Sequence, residues 1–258
     1  MIGKYIQDLK KKNFMIFICK VLHSYLTPKF LWKLVIRNYE TFLISDNKPV
    51  LKIEWFFKSL FWFWPSLHTS VFWRDRTVGS TMGPQDYVII PEHSKLLVEE
   101  LLKIAKNKES SFLDLACNSG RFLKALYKAG YQNLSGMDIS ASALAYMAEN
   151  TPEIYDPEKI KLKTMQEYLL QANTESFDIV YTHGATVELI PPTFPLVEEV
   201  CRISKKYVVF YISESGHHYP RFWEIEFNRF GFQLERLDRR NLPAYGMTLM
   251  VFRKNEYE

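Results

Sequence analysis

Residues 111–140 read SFLDLACNSGRFLKALYKAGYQNLSGMDIS, and this stretch constrains the fold more than any other. A short apolar run, 112–116, stops at Asn118-Ser119-Gly120, a tight-turn sequence. Phe122, Leu123, Leu126 and Tyr127 then recur at helical spacing, and Gly130 is placed to close that helix. A second apolar run ends on Asp138. Strand, turn, helix and strand in that order open a βαβ unit. The turn stands at the mouth of a helix, where unpaired N–H groups point outward and can hold a polar ligand. Asp138 falls at the tip of the second strand, where such units carry the acid that accepts hydrogen bonds from a ribose diol.

The rest of the chain continues the alternation. A helix is expected over 91–106, with Leu96, Leu97, Leu101, Leu102 and Ile104 facing inward. Ser140 is placed to cap a helix running to about Asn150. Strands are expected at 160–164, 177–182 and 207–212, and helices at 165–171, 194–203 and 222–230, the last ended by Gly231. Residues 232–237 and 247–253 read as two final strands, joined by the turn-rich 238–246 and therefore antiparallel. The expected fold is α/β: a doubly wound, Rossmann-like seven-stranded sheet with an antiparallel last strand and an N-terminal helical extension. The expected division is a helical, aromatic-rich extension or lid at 1–80 and a sheet domain at 81–258. A chain of 258 residues suits that size.

Charge separates the two parts. Residues 1–76 hold ten Lys and three Arg against three Asp and two Glu, a net +8, while the whole chain carries only +4. The body is therefore mildly acidic, and the head is suited to an anionic partner. The head is also aromatic. Amphipathic helices are expected over 13–24 and 28–40, and 55–64 reads WFFKSLFWFW before Pro65. No run reaches the roughly 18–20 apolar residues that span a bilayer. Such faces either bury against each other, the body or a second copy in a homodimer, or lie in a membrane interface. A glycine-containing linker, 72–84, precedes the body, and Arg74 and Arg76 in it are placed either to meet an anionic substrate group or to pair with nearby acids.

Cys19, Cys117 and Cys201 are widely spaced and form neither a disulfide framework nor a metal motif, so a reducing, cytoplasmic setting is expected, with the periphery of a membrane as the alternative that the aromatic head leaves open. The six His show no metal-ligand spacing.

The motif residues resemble those of the class I S-adenosylmethionine-dependent methyltransferases, over roughly 91–253. Asp114-Leu-Ala-Cys-Asn-Ser-Gly120 is similar to their first motif, Asp138 to their ribose-binding acid, and 177–191 to the fourth strand and following segment of the small-molecule branch. Two motif glycines are replaced, by Ala116 and Asn118. Asn tolerates a left-handed backbone, and Ala still permits close backbone approach. The resemblance implies S-adenosylmethionine as cofactor, held by Asp114, Ala116, Cys117, Asn118, Gly120, Asp138, Ile139, Met165, Gln166, Thr182 and His183. A side chain at Gly120 is expected to press on the ligand or the turn while leaving the domain folded.

If the methyl acceptor is a hydroxyl, a base must take its proton, and histidine suits that near neutral pH. The candidates are His183 after the fourth strand and His217 and His218 after the fifth. The implied activity is methylation of a small molecule, such as a sugar, glycan or lipid-linked hydroxyl. The alternatives are an RNA or protein methyltransferase, or a scaffold that binds cofactor without catalysis. Nucleic acid is the less favoured partner, because Thr182-His183-Gly184-Ala185 stands where base-modifying relatives carry Asn/Asp-Pro-Pro-Tyr/Phe.

Overall fold

The computed structural model describes residues 73–184, 186–190, 194–213, 221–238 and 247–255. The expected head helices and the His217-His218 pair lie outside the described residues.

The sheet begins with β1 (Phe112–Leu115), whose four residues are all buried, as the strand between two layers of helix must be. Helix α1 (Lys95–Ile104) precedes it, entered through short 3-10 turns at Pro84–Tyr87 and Glu92–Ser94. Then come α2 (Arg121–Lys128), β2 (Leu134–Asp138) and α3 (Ala141–Asn150). Ser140 caps α3 as expected, its hydroxyl accepting the Ala143 amide at 3.2 Å. Next follow β3 (Ile160–Leu162), α4 (Met165–Gln171) and β4 (Phe177–His183). A reciprocal Thr164–Glu167 capping box starts α4. The described chain finishes with α5 (Leu196–Ile203), β5 (Ser204–Ser213), α6 (Trp223–Arg229), β6 (Phe232–Asp238) and β7 (Met247–Lys254).

Strand order across the sheet is β3-β2-β1-β4-β5-β7-β6. β1 pairs in parallel with both β2 and β4, so Leu113 sits opposite Ser135 on one side and Val180 on the other. β7 runs antiparallel between β5 and β6, a seven-stranded mixed sheet as expected.

Alternation along the central strands feeds two cores. On β5, Val208, Phe210 and Ile212 face α5 and α6, meeting Leu196, Val200, Trp223 and Phe227. Val209 and Tyr211 face the other way, toward Leu97, Leu101, Phe122, Leu126 and Leu144 on α1, α2 and α3. Chain order reverses around β1, since β2 lies on one side and β4 on the other, and this switch point opens a crevice at the strands' carboxyl ends.

Candidate active site

The turn leaving β1 carries the site's backbone. Ala116, Asn118 and Gly120 have φ of 66°, 48° and 78°, so every second residue is left-handed. This alternation turns the chain from strand into α2 within five residues. The Cys117 amide donates to the Met137 carbonyl at 2.9 Å, and Gly120 donates to Cys117 at 2.9 Å. Asn118 adopts the shape anticipated for it. Ala116 goes further than close approach: it is itself left-handed, at a cost of about 1–2 kcal/mol. Strain held at such a turn is a common mark of a binding site.

Gly120 has a different role from the one expected. A Cβ there would meet Ile154 Cδ1 at 2.8 Å and Met147 Cε at 2.9 Å. Its missing side chain makes room for α3, and Gly120 is not part of the cavity wall.

Asp138 ends β2 with its carboxylate locked. Oδ2 accepts the Asn118 amide at 2.8 Å, and Oδ1 accepts the Ser140 amide at 2.8 Å. Burial raises its pKa, opposed by those amides. Asp114, 1% exposed, is pushed up to about 7 by burial, and the Tyr181 hydroxyl beside it opposes that rise. Neither Asp114 Oδ2 nor the Tyr181 hydroxyl completes a hydrogen bond of ordinary geometry among the described residues. A buried acid with an oxygen to spare, next to a second acid, is a site fitted to a ligand's donor groups.

His183, at the end of β4, faces the same cavity. Arg121 Nη2 lies 3.3 Å from Nδ1, and Ser94 Oγ lies 2.8 Å from Nε2. A guanidinium only donates, so Nδ1 accepts from Arg121, and the ring proton sits on Nε2 and is donated to Ser94. The ring also packs on Phe122, 4.9 Å between centroids. Burial, with Arg121 and His93 nearby, lowers its pKa to about 3. His183 is therefore a neutral, doubly hydrogen-bonded imidazole. Its one lone pair faces the Arg121 guanidinium at 3.3 Å.

A cavity of about 500 Å³ joins these groups. Of the residues expected to hold a cofactor, Asp114, Ala116, Cys117, Asn118, Asp138, Ile139, Met165, Gln166 and His183 line it together. Thr182 does not. Its hydroxyl donates to the Leu115 carbonyl at 2.7 Å and bonds Thr186, bracing β4 against β1 behind the wall. Arg74 pairs with Asp75 and Arg76 donates to the Thr81 carbonyl, and neither lines the cavity. The wall also includes Trp73, Tyr87, His93, Arg121 and Leu189, which the sequence reading missed. Arg121 had a signal, since it is the first helical residue after the turn. Tyr87 and His93 lie in irregular chain, where no periodicity points to a site.

Residues 112–206, spanning β1 to the start of β5, match the family model described as a methyltransferase domain. Over those residues the chain carries a methyltransferase domain. The methyltransferase domain also resembles solved structures. Magnesium protoporphyrin IX methyltransferase from Synechocystis PCC 6803, with bound S-adenosylmethionine, has a TM-score of 0.52 at 13% identity, covering 67% of this chain and 79% of that one. The PH0226 protein from Pyrococcus horikoshii OT3 has a TM-score of 0.50 at 16% identity, with 66% and 94% covered. The [4+2]-cyclase SpnF has a TM-score of 0.50 at 11% identity, with 64% and 82% covered. Identities this low bear on the fold alone, and the SpnF likeness illustrates that chemistry belongs to the site. No curated protein matched the chain in sequence.

Among the described residues, no group of three His, Cys, Asp or Glu could hold a metal ion. No described helix is long and apolar enough to cross a membrane.

Proposed function

We propose that this methyltransferase acts on a small-molecule acceptor. The observation that carries the reading is the cavity wall contributed from before the sheet. Trp73, Met82 and Tyr87 line the same space as Asp138 and His183. A wall of that kind restricts access to small molecules and keeps water from the reacting centre. Ser119 ties it down: its buried hydroxyl donates to the Pro84 carbonyl at 2.8 Å.

The lining fits the cofactor's parts. Asp138 keeps lone pairs beyond those used by the two amides, suited to a ribose diol. Ile139, Met137 and Met165 offer apolar surface to a purine. Asp114 Oδ2 is a buried acceptor still to be matched. When bound, S-adenosylmethionine supplies an electrophilic methyl group on a sulfonium. The chain's own part is to fix the acceptor in line and to exclude water. A hydroxyl acceptor needs a proton acceptor, for which His183, His217 and His218 are the candidates.

A sugar, glycan or lipid-linked hydroxyl is the acceptor class favoured by the basic, aromatic head, whose net +8 also suits an anionic membrane surface. Flotation with neutral and anionic vesicles, at low and high salt, tests that partner. The function itself is tested by calorimetry with S-adenosylhomocysteine, followed by labelled-methyl transfer to pools of small hydroxyl compounds, RNA and protein. Label in the small-molecule pool supports the reading. Label confined to RNA or protein overturns it, and absence of binding by folded protein overturns the cofactor assignment.

A further inference from the structure

Arg121 opens α2 and is only 9% exposed, yet its guanidinium lines the cavity. Its contacts are few for a buried cation. Nη2 reaches His183 Nδ1 at 3.3 Å, a long hydrogen bond. The guanidinium carbon lies 5.0 Å from the Tyr87 ring centre and 4.9 Å from that of Phe122. Among the described residues, no carboxylate forms an ion pair with it. Asp114 is the acid that acts on it from nearby, and burial holds much of that carboxyl in its neutral form. Arginine keeps its proton under these conditions, so a fixed positive charge faces the cavity.

Ring faces and one neutral imidazole do not offset the cost of burying that charge. Aromatic contacts contribute about 0.5–2 kcal/mol, whereas an unpaired buried ion costs several. A guanidinium also presents five N–H donors in a planar fork, matched by two parallel carboxylate oxygens. We propose that Arg121 is the seat of a carboxylate bound in the cavity.

The inference rests on the S-adenosylmethionine reading, and it adds a residue and a ligand chemistry to it. Two sources offer that chemistry: the amino-acid end of the cofactor, or a carboxylate on the acceptor. Either one neutralises the guanidinium, which otherwise repels a sulfonium held in the same cavity.

The test uses the full chain, with Arg121→Gln as the variant, because glutamine can still donate to His183. Calorimetry compares S-adenosylhomocysteine with 5′-methylthioadenosine, which lacks the amino-acid end, and then titrates benzoate into protein saturated with S-adenosylhomocysteine. If the cofactor supplies the carboxylate, Arg121→Gln weakens S-adenosylhomocysteine at least tenfold and leaves methylthioadenosine within twofold. If the acceptor supplies it, both nucleosides keep their affinity and benzoate binding, present in wild type, is lost. No change in any of the three overturns the proposal, as does an equal loss for both nucleosides. Should the variant not fold, the carboxamide of S-adenosylhomocysteine on wild-type protein replaces the first comparison. Equal affinity for acid and amide, with no benzoate binding, then overturns the proposal. Failure of folded wild type to bind either nucleoside overturns the cofactor reading instead, and this inference with it.

Discussion

The Asn118 amide donates to Asp138 Oδ2 at 2.8 Å, which makes the turn after β1 and the tip of β2 one hydrogen-bonded unit. Asp138→Ala therefore acts twice. It removes an acceptor for the ribose, lowering S-adenosylhomocysteine affinity at least tenfold, since a charge-assisted hydrogen bond contributes about 1.5–3 kcal/mol. It also strips the Asn118 and Ser140 amides of their partner and lowers the urea midpoint. Calorimetry and denaturation on the same preparation check both, and unchanged affinity in a folded variant would refute the assignment.

Ala116 pays for its left-handed backbone with strain that glycine does not feel. Ala116→Gly is expected to stabilise the domain by about 0.5 kcal/mol, the strain relieved slightly exceeding the added freedom of the unfolded chain. Ala116→Val, β-branched at the same φ, is expected to cost more than about 2 kcal/mol. Urea midpoints of the three proteins give the order directly. A Gly variant less stable than wild type would remove strain from the account.

Gly120→Val is expected to destabilise the domain by about 3 kcal/mol or more. The new side chain meets Met147 and Ile154 while the backbone stays at φ 78°. Thermal melting of the purified variant tests this. A normal melting temperature combined with lost cofactor binding would restore Gly120 to the cavity wall.

A buried acid and a half-buried histidine set opposite slopes of stability against pH. Asp114 titrates at about 7 when folded and 3.8 ordinarily, so the folded state holds a proton the unfolded chain has released, and stability falls as pH rises from about 4 to about 7. His183 titrates at about 3 when folded and 6.5 ordinarily, so stability falls as pH drops from about 6.5 toward 3. Asp114→Asn should thus gain on wild type by on the order of 2–4 kcal/mol between pH 4 and pH 7. His183→Gln should gain on wild type below pH 6.5. Urea titrations across that range read both, and parallel curves for variant and wild type would contradict the burial argument.

The elements were legible because each has a local signature. The Ser140 cap, the 165–171 helix and the buried β1 run all follow from side-chain spacing and end chemistry. The acid at Asp138 was legible for the same reason, as it ends an apolar run. What escaped was direction. Whether Gly120 faces ligand or helix depends on the alternating φ of the turn, which spacing does not encode. Thr182 and His183 are neighbours on β4, and the pleat sends one behind the wall and the other into the cavity. Arg121 was visible as a residue, but its lack of an ion pair among the described residues is a property of the assembled site. The partners of His183, Ser94 and Arg121, come from distant parts of the chain, so spacing does not reveal them.

The position of β7 has a consequence for how the domain is made. β5 pairs with β4 on one edge and β7 on the other, and β7 follows β6 in the chain. During translation, the outer edge of β5, from Tyr207 to Ser213, therefore waits unpaired until 247–254 have left the ribosome. A bare strand edge of that apolar composition is a template for a neighbouring nascent chain. Among the described strands β6 meets the sheet through β7 alone, so β7 gates the closure of this half of the molecule and sets how long it stays open to aggregation.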